Sequence, residues 1–415
     1  MKAVKSSIVE VTHQARHASV SKHVRPKLRF AFVAAPSLLA VALSAISTTA
    51  FAAPSIQVTS GTFGHKASVT ITGSGFGTKG TAAPVVWDDA SGSKITDKWS
   101  GAWPNAGTSS YQTGYTTPIR GITLPHSNIS KYISGAHGDA GGFDAGYNVI
   151  FWKTIPKPSA VYASWYQRTD DAWVFNLGNP ADNNFKSFDY SAGSTPYDSN
   201  NWYLAFGPPR PTSRTSGAQW LFTDDGSSLS NPDVNGHNAW WEDAINPSSG
   251  VWTKMEVEVL VSSTSNGYLK VWQNGKVVLN YAGPTDKYPG STRAIGIGGY
   301  ARGYGNSNNR RYYADAYLDN SRARVVLAND ATLSKATTIE TQIPTSWSTG
   351  SIGLTVNLGK FSAGQTAYVF VVDPSGVASS TGYQVSIGGT GSPSAAPAPV
   401  PPPPTPSGLS VQGVN

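Results

Sequence analysis

The sequence predicts an all-β protein, and three observations carry that expectation. Short runs alternate apolar and polar residues with a period of two. Clusters of Gly, Asn, Asp, Ser and Pro separate these runs, in a chain of 415 residues with 43 Gly and 28 Pro; such residues make turns and interrupt helices. Apolar residues at helical spacing are nearly missing.

At the start, residues 1–52 read as a cleavable export signal. Residues 1–29 hold seven Lys or Arg (Lys2, Lys5, Arg16, Lys22, Arg25, Lys27, Arg29) against one acid, Glu10. An apolar run of 17 residues follows from Phe30 to Ile46, and Ala50-Phe51-Ala52 places small residues where a signal peptidase reads them. As a membrane anchor the run is short, and Pro36 interrupts it. The expectation is a secreted, periplasmic or cell-surface protein with no membrane span after cleavage.

Removing the leader also removes most of the charge. The chain is +7, with 31 basic and 24 acidic residues, and the mature part keeps 24 and 23 of these. No Lys/Arg cluster appears there, which speaks against a nucleic-acid partner. Cysteine is absent, which excludes disulfides, thiol catalysis and thiolate metal sites. Thirteen Trp and nineteen Tyr suit broad apolar packing or sugar-stacking platforms.

The clearest strand is Met255-Glu256-Val257-Glu258-Val259-Leu260-Val261, with Met255, Val257, Val259 and Val261 on one face. Tyr268 to Gln273 follows, then Asn274-Gly275, a strong hairpin signal, and Lys276 to Tyr281 returns as partner. Ala314, Ala316 and Leu318 alternate with Tyr313, Asp315, Tyr317 and Asp319. One apolar face per strand implies a core on one side and solvent on the other. Residues 389–415 differ: Ser-Pro-Ala repeats and Pro401 to Pro404 favour an extended, disordered tail.

Two resemblances refine the fold. Val69-Thr70-Ile71-Thr72-Gly73-Ser74-Gly75-Phe76-Gly77 resembles the first half of an IPT/TIG domain, a small immunoglobulin-like sandwich, over residues 54–92. The segments Trp347 to Val356, Ala367 to Gly376 and Tyr383 to Ile387 resemble its later strands, within 335–388. This implies one split domain with a guest inserted, or two separate small sandwiches at either end. Insertion at an exposed loop is tolerated when the guest's termini lie close. Between them, residues 93–330 resemble concanavalin A-like jelly rolls of lectins, heparin-lyase-like enzymes and laminin-G-type modules. The carrying residues are Trp252-Thr253-Lys254-Met255-Glu256-Val257-Glu258-Val259 and Gly267-Tyr268-Leu269-Lys270-Val271-Trp272-Gln273-Asn274-Gly275-Lys276. The implied architecture is a jelly-roll β-sandwich plus a small immunoglobulin-like one.

Glu256 and Glu258 lie two apart on one strand face. Laminarinase-type glycosidases on this fold carry their two catalytic Glu four apart with an Asp between; that motif is absent, so that activity is rejected. Glu256 pairing with Lys254 or Lys270 on a solvated face is the plainer reading. Lyases on this fold need a Tyr or His to move a proton and a cation or amide to neutralise a carboxylate. Tyr162, Ser164, Tyr166 and Arg168 share the outward face of the strand Val161–Arg168, and Lys186 is a plausible neighbour. His126, His137 and His237 are the histidines of the insert. Tyr166, Arg168 and His237 are the catalytic candidates. Trp272 points away from the core as a sugar platform or as a cap on the sheet edge, and Trp240-Trp241 is a second aromatic candidate in a polar loop. Asp233-Val234-Asn235-Gly236 and Asp224-Asp225-Gly226 read as turns or as partial calcium loops. No other metal or cofactor is expected.

The expected function is glycan-directed. One reading is a module that binds polysaccharide on a jelly-roll face through Tyr166, Arg168, Lys186, Glu256, Lys270 and Trp272. An alternative is a lyase that cleaves an acidic polysaccharide by β-elimination, and another is a cell-surface scaffold or adhesin.

Overall fold

The computed structural model of the protein describes residues 52–103, 113–118, 121–136, 148–171, 184–196, 200–207, 219–223, 239–243, 248–302 and 310–389. Twenty-three strands lie among them, numbered in chain order, and their pairings are antiparallel. No helix of the described residues is long and apolar enough to cross a membrane.

The larger sandwich has two sheets. One runs β15 (Lys276–Ala282), β14 (Tyr268–Gln273), β13 (Thr253–Leu260), β8 (Ala160–Thr169), β17 (Arg310–Asp319), β6 (Tyr132–Ala136), β5 (Gly114–Thr116). An eighth strand, β3 (Val86–Asp88), also pairs with β17. The facing sheet runs β12 (Ala239–Asp243), β11 (Gln219–Thr223), β10 (Asn200–Gly207), β9 (Asn184–Ala192), β16 (Thr292–Arg302), β7 (Asn148–Pro156), β4 (Gly101–Trp103). Between them lies one core that includes Phe151, Trp165, Phe188, Trp202, Val257, Leu269 and Ile297. Trp165, Phe188 and Trp202 form a stacked file, with centroid separations of 5.6 and 5.7 Å.

The smaller sandwich is made from both ends of the described chain. Its first sheet runs β1 (Ser55–Ser60), β2 (Ser68–Ser74), β21 (Ser351–Thr355), β20 (Ile343–Trp347); its second runs β19 (Ile339–Thr341), β18 (Arg324–Ala328), β22 (Thr366–Val372), β23 (Tyr383–Ser386). Val69, Ile71 and Phe76 share a core with Leu354, Val356, Val369 and Val371. The strand β18, inside the span 93–330 read above as jelly roll, pairs with β19 and β22 and so lies in the smaller sandwich. Conversely β3, inside 54–92, pairs into the larger one.

Local chemistry explains the elements. The β14–β15 hairpin turns at Asn274 and Gly275, with φ of 50° and 77°, which an Asn-Gly pair adopts at little cost. Met255, Val257, Val259, Leu269 and Val271 are wholly buried in the core. The alternation read along β17 does not hold throughout. Its pairing with β8 slips between Ala314 and Tyr317, and Asp315 there has φ of 47°. The bulge puts Tyr313, Ala316 and Leu318 in the main core and sends Ala314 to a cluster on the other face.

The expectation of a solvated outer face fails over β8 and β13 of the eight-stranded sheet, because the smaller sandwich packs against them. Glu256 and Glu258 are each only 5% exposed. Glu256 accepts a hydrogen bond from the Tyr162 hydroxyl at 2.6 Å rather than pairing with a lysine on a wet face. Burial pushes its carboxyl above the usual range, against Tyr162, Arg324 and Lys254. Glu258 meets Arg324 of β18 at 2.6 Å. Lys254 meets Glu340 of β19 at 3.4 Å, and Ser164 shares a hydrogen bond with Thr341 at 2.9 Å.

Candidate functional site

The six outward residues named as a carbohydrate site do not form one site. Lys186 lies on β9 of the seven-stranded sheet; Tyr166, Arg168, Glu256, Lys270 and Trp272 lie on β8, β13 and β14 of the other. A jelly roll has two outward faces, and alternation along a strand does not say which sheet the strand joins.

Tyr166 is corrected from outward candidate to buried interface residue. It is 1% exposed, and its hydroxyl donates to Glu340 Oε1 at 2.5 Å. Burial and the adjacent Glu340 push the phenol well above its ordinary range, so it is unsuited to proton transfer where it sits. Glu256 is removed from the solvent-reaching set for the same reason. Arg168 is partly buried at the far end of β8, and its Nη2 donates to Asp171 Oδ1 at 2.5 Å. His126 is buried, with Nε2 at 2.8 Å from Asp315 Oδ2. His137, His237 and both partial calcium loops lie outside the described residues. Among the described residues no group of three or more His, Asp or Glu is arranged to hold a metal. Trp240 and Trp241 belong to strand β12 rather than to a loop.

What remains for chemistry on the larger sandwich is the outward face of the seven-stranded sheet. Alternation sets it: Phe151, Phe188, Trp202 and Ile297 point into the core, so Ile150, Trp152, Asp189, Ser191 and Tyr203 point the other way. Ile150, Trp152 and Ala294 form an apolar patch. Gly296 makes room for it, since a side chain there would meet Ile150 at 2.5 Å. The Trp152 indole donates to Ser194 O at 3.2 Å, which closes that end of the face. Beside the patch, Ser191 Oγ donates to Asp189 Oδ1 at 2.5 Å. Further along, the half-buried Lys186 holds its ammonium 3.6 Å from the centre of the Tyr203 ring.

The backbone beneath Lys186 is braced from within. The pairing of β16 with β9 slips between Ile297 and Ala301, and that of β10 with β9 slips between Leu204 and Ala205. Ser187 turns into the core there and donates to Gln167 Oε1 at 2.5 Å. Arg311, 1% exposed, reaches across from β17 with its guanidinium carbon 4.0 Å from the Phe185 ring centre. Its Nη1 donates to Gly299 O at 2.8 Å and its Nη2 to Lys186 O at 2.7 Å. Tyr203 and Arg311 were missed from sequence. Tyr203 carries a usable signal, alternating with the core residues Trp202 and Leu204. Arg311 carries none, because nothing in Arg310-Arg311 says which guanidinium turns inward.

Residues 152–317 match a family model described as polysaccharide lyase. That stretch includes Lys186, Tyr203 and Arg311. No curated protein matches the chain. Among solved structures, the chain is similar to an endo-β-1,4-glucuronan lyase from the fungus Trichoderma reesei, at 10% identity and a TM-score of 0.38 over 53% of this chain and 90% of that one. It is also similar to the alginate lyase Aly36B, at 11% identity and a TM-score of 0.36 over 64% and 98%. A third is a PL-14 alginate lyase from Aplysia kurodai, at 10% identity and a TM-score of 0.31 over 50% and 86%.

Proposed function

We propose that this protein is an exported polysaccharide lyase that cleaves an acidic polysaccharide by β-elimination on the outward face of its seven-stranded sheet. The observation that carries this reading is the Lys186–Tyr203 contact, an ammonium over a tyrosine ring, inside the stretch that matches the polysaccharide lyase model. In β-elimination a base removes the proton next to the uronate carboxylate, a cation neutralises that carboxylate, and the C–O bond at the neighbouring carbon breaks. The departing oxygen takes a proton and a carbon–carbon double bond remains. Lys186 supplies the cation, and Tyr203, 6% exposed but on the outward face and clear of the Glu340 carboxylate that engages Tyr166, is assigned the proton transfer; electrostatic stabilisation of the developing anion is the larger part of such catalysis. The Ile150–Trp152–Ala294 patch supplies an apolar wall for a sugar ring. Residues 1–52, read as an export signal, support meeting polysaccharide outside the cytoplasm, and the smaller sandwich is read as an IPT/TIG-like domain that holds the enzyme there.

Incubating the mature protein with a panel of uronic-acid polysaccharides, and following the absorbance of unsaturated products, tests this. Activity on at least one polymer is expected. Lys186→Ala and Tyr203→Phe should each lower it by about 10²-fold or more. Absence of unsaturated product on every polymer would sink the lyase reading.

A further inference from the structure

A cavity lies on the side of the larger sandwich opposite the proposed cleavage face, where the β13–β14–β15 hairpins meet the smaller one. It encloses about 540 Å³ and is lined by Lys270, Trp272, Lys276, Arg324, Leu333 and Lys335, among others. A further pocket of about 360 Å³ shares Lys270, Trp272, Arg324 and Leu333 with it and continues toward Tyr268 and Asn280. Together they form an elongated cleft rather than a closed hole, of the size saccharide and cofactor sites have.

The cleft is cationic. Its two acids are already engaged, Glu258 by Arg324 at 2.6 Å and by the Tyr268 hydroxyl, and Glu256 by the Tyr162 hydroxyl at 2.6 Å. No carboxylate among the described residues pairs with Lys270, Lys276 or Lys335. Arg324 is 7% exposed, and its Nη1 is committed to Glu258 Oε2 and to Arg322 O at 2.9 Å, so the three lysines are the cations the cleft has to offer. Into this field projects Trp272, half-buried, with the Lys270 ammonium 5.3 Å from its ring centre. Leu333 and the exposed Val277 extend the apolar surface beside it. A flat aromatic face beside fixed cations complements a pyranose with a C–H face and a carboxylate on its edge.

We propose that this cleft is a second glycan site, which binds a short stretch of anionic polysaccharide by stacking on Trp272 and by charge on Lys270, Lys276 and Lys335. It is separate from the proposed cleavage face, since Lys186 is on the other sheet. It holds whether or not that face cleaves.

The test is calorimetric titration of the full mature chain carrying Lys186→Ala, so that no substrate is consumed, with short oligouronates as the probe. Trp272→Ala, and separately Lys270→Ala with Lys335→Ala, should each weaken binding at this cleft at least tenfold, with Trp272→Phe retaining most of it. Oligosaccharides whose carboxylates have been reduced to alcohols should bind weakly, and added salt should weaken the uronates. Thermal unfolding of each variant shows that it is folded. In the otherwise native chain, Trp272→Ala should leave cleavage of short oligomers unchanged, which separates this site from the lyase reading. Uronate binding that is indifferent to all three substitutions overturns the proposal. So does equal binding of the reduced sugars, or of single-stranded DNA of matched charge.

Discussion

Arg311 ends at the point where β9 and β16 fall out of register, and its two hydrogen bonds replace ladder bonds that the slip removes. The backbone under Lys186 is therefore held by a side chain from the opposite sheet. Replacing Arg311 by Leu leaves one buried carbonyl, Gly299 O, and one partly buried carbonyl, Lys186 O, without that donor, and a fully buried unmet acceptor costs about 1–3 kcal/mol. Arg311→Leu should lower the denaturant midpoint. Per folded molecule, it should also lower kcat for unsaturated-product formation with KM nearly unchanged, because Lys186 moves while the rest of the face stays. Arg311→Lys, which keeps the charge and a donor group but not the guanidinium fork, should recover part of both. A stability loss with unchanged kcat would limit Arg311 to a structural role.

At the scale of strands, alternation was a sound guide to the inner faces and a poor one to the outer faces. Val257, Val259 and Leu269 were legible as core because a period of two with one apolar face permits a single assignment. Glu256 and Glu258 carry the same signal as any exposed strand acid. Their burial comes from β18 and β19, distant in sequence, and no local pattern encodes that cover. Lys186 was legible as outward, yet its sheet was not, since strand order is a long-range property. Asp315 hides a different failure: its left-handed backbone resets the period of β17, and Asp tolerates that conformation without announcing it. The inner-face assignment has a direct check. Val257→Ala should cost about 1–3 kcal/mol as a large-to-small core change, whereas Val277→Ala, at a position 42% exposed, should stay within about 0.5 kcal/mol. Equal shifts in denaturant midpoint would mean that β13 is packed otherwise.

Across the whole molecule, the chain leaves the smaller sandwich after β2 and returns to it at β18, and the two crossings are tied to each other. Lys79, in the outgoing segment, meets Asp319, at the end of β17, at 2.5 Å, with each side chain 1% exposed. The Lys79 ammonium also donates to Ala82 O at 2.7 Å and lies 5.7 Å from the centre of the Trp347 ring of β20. An insertion needs its two ends close together, and here a buried ion pair joins them. Burial is the largest influence on Asp319 and raises its carboxyl, while Lys79 and the Tyr317 hydroxyl lower it, for a net value of about 6. The sign follows from linkage: a carboxyl whose folded value exceeds its unfolded one binds more protons in the native state between the two. Its contribution to stability is then complete below the unfolded value of 3.8 and is lost as pH rises through about 6. Asp319→Asn removes the titration and keeps the shape. The difference in unfolding free energy between the parent and Asp319→Asn should therefore shift against the parent as pH rises from acid to neutral, then level off. Denaturant titrations across that window measure it, and parallel pH profiles for the two proteins would show that Asp319 does not titrate there. Lys79→Met should be the more damaging change at neutral pH, because it leaves a buried carboxylate without its counter-charge at the junction of the two sandwiches; breaking such a pair costs about 3–5 kcal/mol.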